Sequence, residues 1–254
     1  MTATAWKGRL DDARLATAFL TRLPLSRHAV IGPAALARAV WAFPLAGLLV
    51  GGAAAVVYGA ALAVGLAPWL AGALAILSQI LLTGGLHEDG LADSADGLGG
   101  RDRQHRLIIM RDSATGSFGV IALSLSLMLR AGALAALADS EVVAGALIAS
   151  ATLSRAAIGL PMILLPPART DGLSAEAGRP TALTVLAAWI LAFILCFPGL
   201  AVADAIALSI AALAAALSVS SVARRRLGGQ TGDVLGATQQ VTELMCLLLL
   251  CSIA

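Results

Sequence analysis

Four acidic residues fall within nine consecutive positions of an otherwise apolar stretch, between Glu88 and Asp96. A helix turns about 100° per residue, so Asp89, Asp93 and Asp96 would lie within roughly 40° of one direction. Carboxylates gathered on one face repel each other unless a cation lies among them. The segment therefore predicts a site for a hard divalent cation, with these three aspartates as ligands and Glu88 as a further candidate.

A second polar cluster follows at residues 110–119. We expect Asp112 to add a ligand to the metal and Arg111 to hold a phosphate. Asp112 or Ser113 could instead cap the next membrane helix. The backbone N–H groups of residues 115–117 could also face an anion at the start of that helix.

A third polar cluster, at residues 224–233, precedes the last apolar run. Gly229 and Gly232 allow a tight backbone turn beside an anion, and Thr231 and Asp233 are candidate substrate or metal contacts. The alternative interpretation is a basic membrane anchor followed by a helix N-cap. That alternative explains the arginines better than the glycine-rich turn.

Several ionisable residues lie within or next to apolar runs, where an unpaired charge is costly. Arg130 is expected near the outer end of its run, where its long side chain can reach the membrane surface. Arg155 should face a polar cavity or an acid, and Glu243 is a possible partner; both are candidate substrate-binding residues. His87 is a candidate proton acceptor, although a hydrogen-bonded loop histidine is the alternative.

The composition predicts an all-α, polytopic membrane bundle forming one integral membrane domain over residues 1–254. Of the 254 residues, 59% are hydrophobic and only 13% are charged, and the mean hydropathy is +0.90. A soluble domain carries about 25% charged residues. No nucleic-acid partner and no cleavable signal peptide are expected. The three cysteines all lie in apolar runs and are expected to be buried free thiols.

A helix that crosses the hydrocarbon core needs about 20 apolar residues. Seven runs meet this requirement approximately: 39–66, 68–86, 117–137, 141–165, 180–197, 199–222 and 234–254. Residues 6–23 mix apolar and charged positions, as in an amphipathic helix on the membrane surface. A solvated helix packed on the loops is the alternative.

Basic residues occur in alternate connections of this seven-span arrangement. They lie in residues 1–38, in the polar segment 85–116, in residues 166–179 and in residues 223–233, whereas the opposite loops carry no Lys or Arg. The positive-inside rule then predicts a cytoplasmic N-terminus and an outward C-terminus in the cytoplasmic (inner) membrane. The 85–116 segment and its acids would face the cytoplasm.

The polar clusters described above, taken in order along the chain, resemble those of the cobalamin synthase family. The members of this family are membrane enzymes that are also called adenosylcobinamide-GDP ribazoletransferases. Residues 84–97 (GGLHEDGLADSADG) are similar to the signature of that family. Supporting similarity lies in residues 110–119, in residues 169–173 and in residues 228–237 followed by Glu243. The resemblance spans nearly the whole chain.

The resemblance implies that adenosylcobinamide-GDP reacts with α-ribazole, or its 5′-phosphate, to give adenosylcobalamin, or its 5′-phosphate, and GMP. It also implies Mg²⁺ as the cofactor. In this interpretation Asp89, Asp93 and Asp96 hold the metal, and Asp112 or Asp233 completes the site. Arg111 and the 228–233 turn would hold phosphate or guanosine. A homo-oligomer, or association with other corrinoid-assembly enzymes, would be compatible.

Two other classes compete with this interpretation. A CDP-alcohol phosphotransferase also aligns aspartates at the cytoplasmic ends of membrane helices, but its motif continues with Ala-Arg, which Asp89-Gly90 lacks. A divalent-cation transporter could use Arg155 and Glu243 in a pathway. Transporters usually bind near the membrane midplane and often contain repeats, and this sequence shows no clear repeat.

Overall fold

The computed structural model describes residues 3–25, 34–197 and 199–253, and helices connected by short turns make up most of this part of the chain. The first helices are α1 (Ala3–Leu20), α2 (Ala35–Ala39), α3 (Phe43–Ala63), α4 (Pro68–Thr83), α5 (Leu86–Leu98) and α6 (Arg103–Ile109). Then follow α7 (Ser117–Leu137), α8 (Ser140–Ala157), α9 (Gly159–Leu164), α10 (Leu173–Glu176), α11 (Ala182–Cys196), α12 (Val202–Leu227) and α13 (Gly232–Ile253).

The all-α expectation is confirmed for the described residues. Their only β-type pairing is an isolated bridge between Pro167 and Gln230. The predicted N-terminal segment 1–38 includes residues 1–2 and 26–33, which lie outside the described residues, as does the last residue of the predicted seventh span.

Within the part of the chain that the structure describes, five helical segments are long and apolar enough to cross a membrane, which makes this a membrane protein. They are α2–α3 with the 3₁₀ turn between them, α7, α8–α9, α12 and α13. Counting α4 and α5 as one broken span gives six. The predicted count of seven is not confirmed, because α4 and α11 have only 16 and 15 residues, fewer than the roughly 20 a full crossing needs.

The predicted second run, 68–86, ends early because two glycines turn the chain. Gly84 and Gly85 both adopt left-handed backbone angles, with φ of 73° and 74°. Such angles strain any residue with a Cβ, so glycine suits both positions. As a result α5 leaves α4 at an angle of 93°.

The central helix pair is α3 against α8, and small residues let the two backbones approach closely. A Cβ added to Gly51 would lie 2.6 Å from the carbonyl oxygen of Leu147, and one added to Gly47 would lie 2.7 Å from Thr152 Cα. In lipid, where apolar side chains gain little from leaving the solvent, such close packing drives helix association.

Four arginines from three of the predicted basic connections lie at one end of the bundle. They bind backbone carbonyls at the C-terminal ends of helices: Arg103 to Leu227 at 2.7 Å, Arg224 to Leu164 at 3.1 Å, Arg179 to Ile163 at 2.9 Å and Arg169 to Leu107 at 2.9 Å. Cations stabilise the negative ends of helix dipoles. We call this end, defined by these four residues, the arginine end.

Helix α1 packs on the start of the bundle. Leu15, Ala16 and Leu20 are buried, and the rings of Phe19 and Phe43 lie 6.5 Å apart between centroids. These contacts favour the packed alternative over a helix that only rests on the membrane surface.

The expectation of free thiols is confirmed, but their burial is only partly as predicted. Cys196 and Cys246 are buried, whereas Cys251 is exposed near the end of α13. The prediction was wrong for Cys251 because it took every residue of an apolar run to be buried. A membrane helix also exposes apolar residues to lipid.

Replacing Gly51 by Ala should reduce stability by about 1–3 kcal/mol, because the new methyl group would overlap the α8 backbone. Gly52→Ala is the matched control, since a Cβ there meets no atom within 4 Å. Unfolding of the purified protein in detergent, followed by helical circular dichroism, measures both. Equal stability of the two variants would contradict the close α3–α8 packing.

Candidate active site

Helices α5 and α13 cross at two glycines, which brings the acids of α5 to the start of α13. A Cβ on Gly90 would lie 2.8 Å from the carbonyl oxygen of Asp233, and a Cβ on Gly236 would lie 3.2 Å from Gly90 Cα. The backbones are therefore in contact, and larger side chains at the crossing would separate them. The crossing places Asp233 beside the aspartates of α5.

The predicted carboxylate face is present on α5. Asp89 is exposed and Asp93 and Asp96 are half-buried. Burial and, to a smaller extent, the nearby charges of Asp89, Asp233 and Asp96 together raise the pKa of Asp93 to about 6. These four carboxylates form what we call the acidic cluster, and their mutual repulsion would fall if a cation joined them.

Asp96 has a second role that the sequence did not indicate. Its carboxylate accepts hydrogen bonds from Gly116 N at 2.7 Å and from Gly119 N at 2.9 Å, at the start of α7. The anion at this helix start is therefore a side chain of α5. The alternative interpretation, in which Asp112 or Ser113 caps this helix, is wrong because α7 begins only at Ser117.

Arg111 and Asp112 are exposed and lie in the connection before α7. Arg111 Nη2 donates to Asp171 at 2.5 and 2.6 Å, which joins the connection to the 169–172 loop. Asp112 accepts a hydrogen bond from Ala114 N at 3.1 Å, closing a local turn. The structure thus adds Asp233, rather than Asp112, to the acidic cluster. The phosphate-binding role of Arg111 stays a prediction.

The 228–233 turn is held mainly by packing and capping. A Cβ on Gly229 would lie 2.8 Å from Ala168 N, so the turn sits tightly on the segment after α9. Thr231 is buried, accepts a hydrogen bond from Val234 N at 3.3 Å and donates one to Asp233 at 3.1 Å. Thr231 therefore caps the N-terminus of α13, as the alternative interpretation of this cluster predicted. Substrate contacts by Gly229 and Thr231 stay predictions.

Arg169 is a candidate site residue that sequence reasoning did not select. Its Nη2 lies 3.8 Å from Asp233 Oδ2, and its charge lowers the pKa of Asp93, opposing the effect of the neighbouring acids. The available signal was its place in a polar loop at the same end as the acids. It is the cation of the 166–172 segment that faces the acidic cluster.

A cavity of about 240 Å³ lies beside the acidic cluster. Asp89, Asp233, Gly232 and His87 line it together with apolar side chains from α1, α3 and α9. His87 is only 2% exposed. Burial and, to a smaller extent, the charge of Arg155 together lower the pKa of His87 to about 3. A neutral imidazole with so low a pKa is a weak base, so a carboxylate is the better proton acceptor.

A buried charge network lies beneath the cavity and centres on Glu243. Its carboxylate pairs with Arg155 at 2.8 Å and with Arg130 at 2.6 Å, and Gln239 donates a further hydrogen bond. The predicted Arg155–Glu243 pair is therefore confirmed. The expectation that Arg130 reaches the membrane surface is wrong, because it is 1% exposed and pairs across the bundle.

Glu88 belongs to this network through its contacts. It accepts a hydrogen bond from Gln240 at 2.9 Å and lies 3.7 Å from Arg130 Nη1, while Arg130 also donates to Gln79 at 2.5 Å. The network thus connects α5 to α4, α7 and α13. This placement favours a structural role for Glu88; its role as a metal ligand stays a prediction.

Comparison with known proteins identifies the relatives of the chain. The family model for cobalamin-5-phosphate synthase matches residues 12–251, which include every cluster described above. The chain belongs to the cobalamin-5-phosphate synthase family. This favours the first interpretation of the motifs over a CDP-alcohol phosphotransferase or a cation transporter.

Three curated relatives of this cobalamin-5-phosphate synthase family member carry the name adenosylcobinamide-GDP ribazoletransferase. The protein of Bradyrhizobium diazoefficiens is 48% identical over 94% of this chain and 92% of its own length. That of Mesorhizobium japonicum is 46% identical over 94% and 92%, and that of Azorhizobium caulinodans 46% identical over 94% and 94%. No solved structure matches the chain.

Within the described residues of this synthase-family chain, no three His, Cys, Asp or Glu side chains are arranged as a complete metal-ligand set. The acidic cluster is instead an open group of carboxylates beside an apolar cavity. Such a surface suits a cation that takes part of its coordination from a bound ligand and from water.

Replacing Glu243 by Gln should lower stability by about 3–5 kcal/mol, because buried Arg155 would lose its charged partner and buried Arg130 the nearer of its two acids. Asp204→Asn, at a half-exposed position of α12, is the control and should stay within about 0.5 kcal/mol of wild type. Denaturant unfolding in micelles measures both. A stable Glu243→Gln protein would contradict the importance of the network.

Proposed function

We propose that this protein is an Mg²⁺-assisted adenosylcobinamide-GDP ribazoletransferase of the cytoplasmic membrane. The observation that carries the proposal is the acidic cluster beside an apolar cavity, in a chain of the cobalamin-5-phosphate synthase family. The names of the relatives supply the substrates, and the carboxylates supply the means to handle a diphosphate.

The reaction is a phosphoryl transfer from a diphosphate to an alcohol. A ribose hydroxyl oxygen of α-ribazole, or of its 5′-phosphate, bonds to the phosphorus that carries cobinamide. The bond from this phosphorus to the bridging oxygen breaks, and GMP leaves with that oxygen. The hydroxyl proton passes to a base. Catalysis of such a step rests on positioning and on neutralising charge.

The donor set of the acidic cluster fits Mg²⁺. This ion usually keeps several waters and binds one or two carboxylates together with substrate phosphates, so a complete protein cage is not required. Asp89, Asp93 and Asp233 would hold it, and the raised pKa of Asp93 supports a place for a cation there. When bound, the ion would neutralise negative charge on the diphosphate oxygens.

The remaining residues position the substrates and the helix that carries the acids. Arg169 lies at the edge of the cluster, where its guanidinium can bind a donor phosphate. Asp96 fixes α5 against the start of α7 through its two backbone hydrogen bonds. A carboxylate of the cluster accepts the proton of the ribose hydroxyl, since His87 is too weak a base.

The arginine end faces the cytoplasm in this proposal. Positively charged residues favour the cytoplasmic side of a membrane, and they gather at the same end as the acidic cluster. The N-terminus would then be inside and the C-terminus outside. Donor nucleotide and acceptor would both reach the site from the cytoplasm.

Replacing Asp93 by Asn should lower GMP release by about 100-fold or more, because a charge that balances the cation is lost at the centre of the cluster. The control is Asp102→Asn, at an acid that caps α6 and keeps a capping side chain after substitution. Purified protein with cobinamide-GDP, α-ribazole and Mg²⁺ provides the assay. Near wild-type turnover of Asp93→Asn would refute the metal assignment.

Reporter fusions test the proposed orientation. Alkaline phosphatase, which is active only outside the cytoplasm, should be active when fused after the last residue and inactive when inserted after Gly100. Green fluorescent protein at the same positions should give the opposite result. The reverse pattern for both reporters would place the acidic cluster outside the cytoplasm and would contradict the proposed orientation.

A further inference from the structure

His87 lines the cavity beside the acidic cluster, and its buried imidazole has no hydrogen-bond partner among the described residues. Both ring nitrogens of His87 are inaccessible to solvent, and neither has a partner among the described residues. A neutral imidazole offers one donor and one acceptor, and burying them unpaired is costly. A ligand that enters the cavity and reaches this ring would remove that cost.

The rest of the cavity wall is largely apolar and aromatic. Phe19 and Phe43 come from α1 and α3, and Ile158 and Met162 come from the end of α8 and from α9. The volume of about 240 Å³ is many times the roughly 10–15 Å³ that a single water needs. Such a space suits a flat apolar ring system with one polar atom for the imidazole.

The acids mark the mouth of the cavity. Asp89 is exposed and Asp233 is partly exposed, whereas His87 and Phe43 are fully buried. A ligand whose ring system lies inside would therefore present its outer end to the acidic cluster. This arrangement would hold the polar, reacting part of the ligand beside the acidic cluster.

Three substrate groups could compete for this space if the proposed transferase function is right. The corrin macrocycle is too large for the cavity. Guanine carries several donors and acceptors on its edge, and the apolar wall would leave most of them unpaired. The dimethylbenzimidazole of α-ribazole has two methyl groups and one ring nitrogen free to accept a hydrogen bond, so its chemistry matches the wall.

We propose that this cavity binds the aromatic base of the acceptor nucleoside and that His87 donates a hydrogen bond to its free ring nitrogen. The ribose then lies at the mouth, with its hydroxyl groups beside Asp89 and Asp233. The cavity thereby selects the acceptor and delivers its nucleophile, while the corrin and the guanosine of the donor stay outside.

Calorimetric titration of the purified full-length protein in nanodiscs with α-ribazole tests the proposal. Wild type should bind α-ribazole at least tenfold more tightly than the analogue without the two methyl groups, because buried methyl groups contribute to affinity. His87→Phe keeps the ring volume without the hydrogen bond and should weaken α-ribazole binding about tenfold. In turnover, the acceptor KM should rise while the KM for cobinamide-GDP stays unchanged.

A cavity-filling variant with a matched control gives an independent measurement. Ala177 is buried and lines the cavity, so Ala177→Leu should also weaken α-ribazole binding. Ala175→Leu, two residues earlier, is half-exposed and outside the lining, and should bind as wild type does. Thermal unfolding identifies any variant that fails to fold, and the methyl comparison needs no variant.

Two results would overturn the assignment. One is a rise in the KM for cobinamide-GDP with an unchanged acceptor KM, which would place the guanosine in the cavity. The other is α-ribazole binding that is indifferent to the methyl groups, to His87→Phe and to Ala177→Leu. Binding that depends on His87 without any GMP release would support the cavity assignment and refute the proposed function alone.

Discussion

The contact between Gly90 and Gly236 is the constraint on which the site depends. It lets α5 and α13 approach until their backbones touch, and only this approach places Asp233 among the aspartates of α5. The left-handed turn at Gly84 and Gly85 prepares the crossing by directing α5 away from α4 at 93°. Chain geometry set by glycine thus concentrates negative charge at one end of an apolar bundle.

The carboxylates of the acidic cluster repel each other, so the helices that carry them must be held in place. The buried charge network around Glu243 holds these helices together. Glu243 pairs with Arg130 and Arg155 in surroundings where either charge alone would be very costly. Glu88 extends the network to α5, the helix that bears three of the aspartates. The network therefore supports the site, whereas the cavity and the acidic cluster are the parts that would contact the substrates in the proposed function.

Local patterns in the sequence predicted a large part of this arrangement. The helical spacing of the aspartates, the apolar runs and the alternation of basic residues all depend on near neighbours in the chain. The spacing correctly predicted the acidic face of α5, and the apolar runs correctly predicted an all-α membrane bundle, although not its seven spans. Long-range partners were harder to predict. Arg130 meets Glu243 113 positions away, and Asp96 caps a helix that begins 21 positions later. No period in the sequence encodes such distances, because these contacts arise only when the helices pack together.

The Mg²⁺ dependence of a Gly90→Ala variant tests the central claim most directly. The added methyl group would push α5 from α13 and spread the carboxylates, while a Cβ at the control position Gly59 meets no atom. We expect Gly90→Ala to need at least about tenfold more Mg²⁺ for half-maximal GMP release, since misplacement by about 1 Å can cost a hundredfold in rate. Gly59→Ala should match wild type. A folded Gly90→Ala protein with unchanged Mg²⁺ dependence and rate would contradict the account.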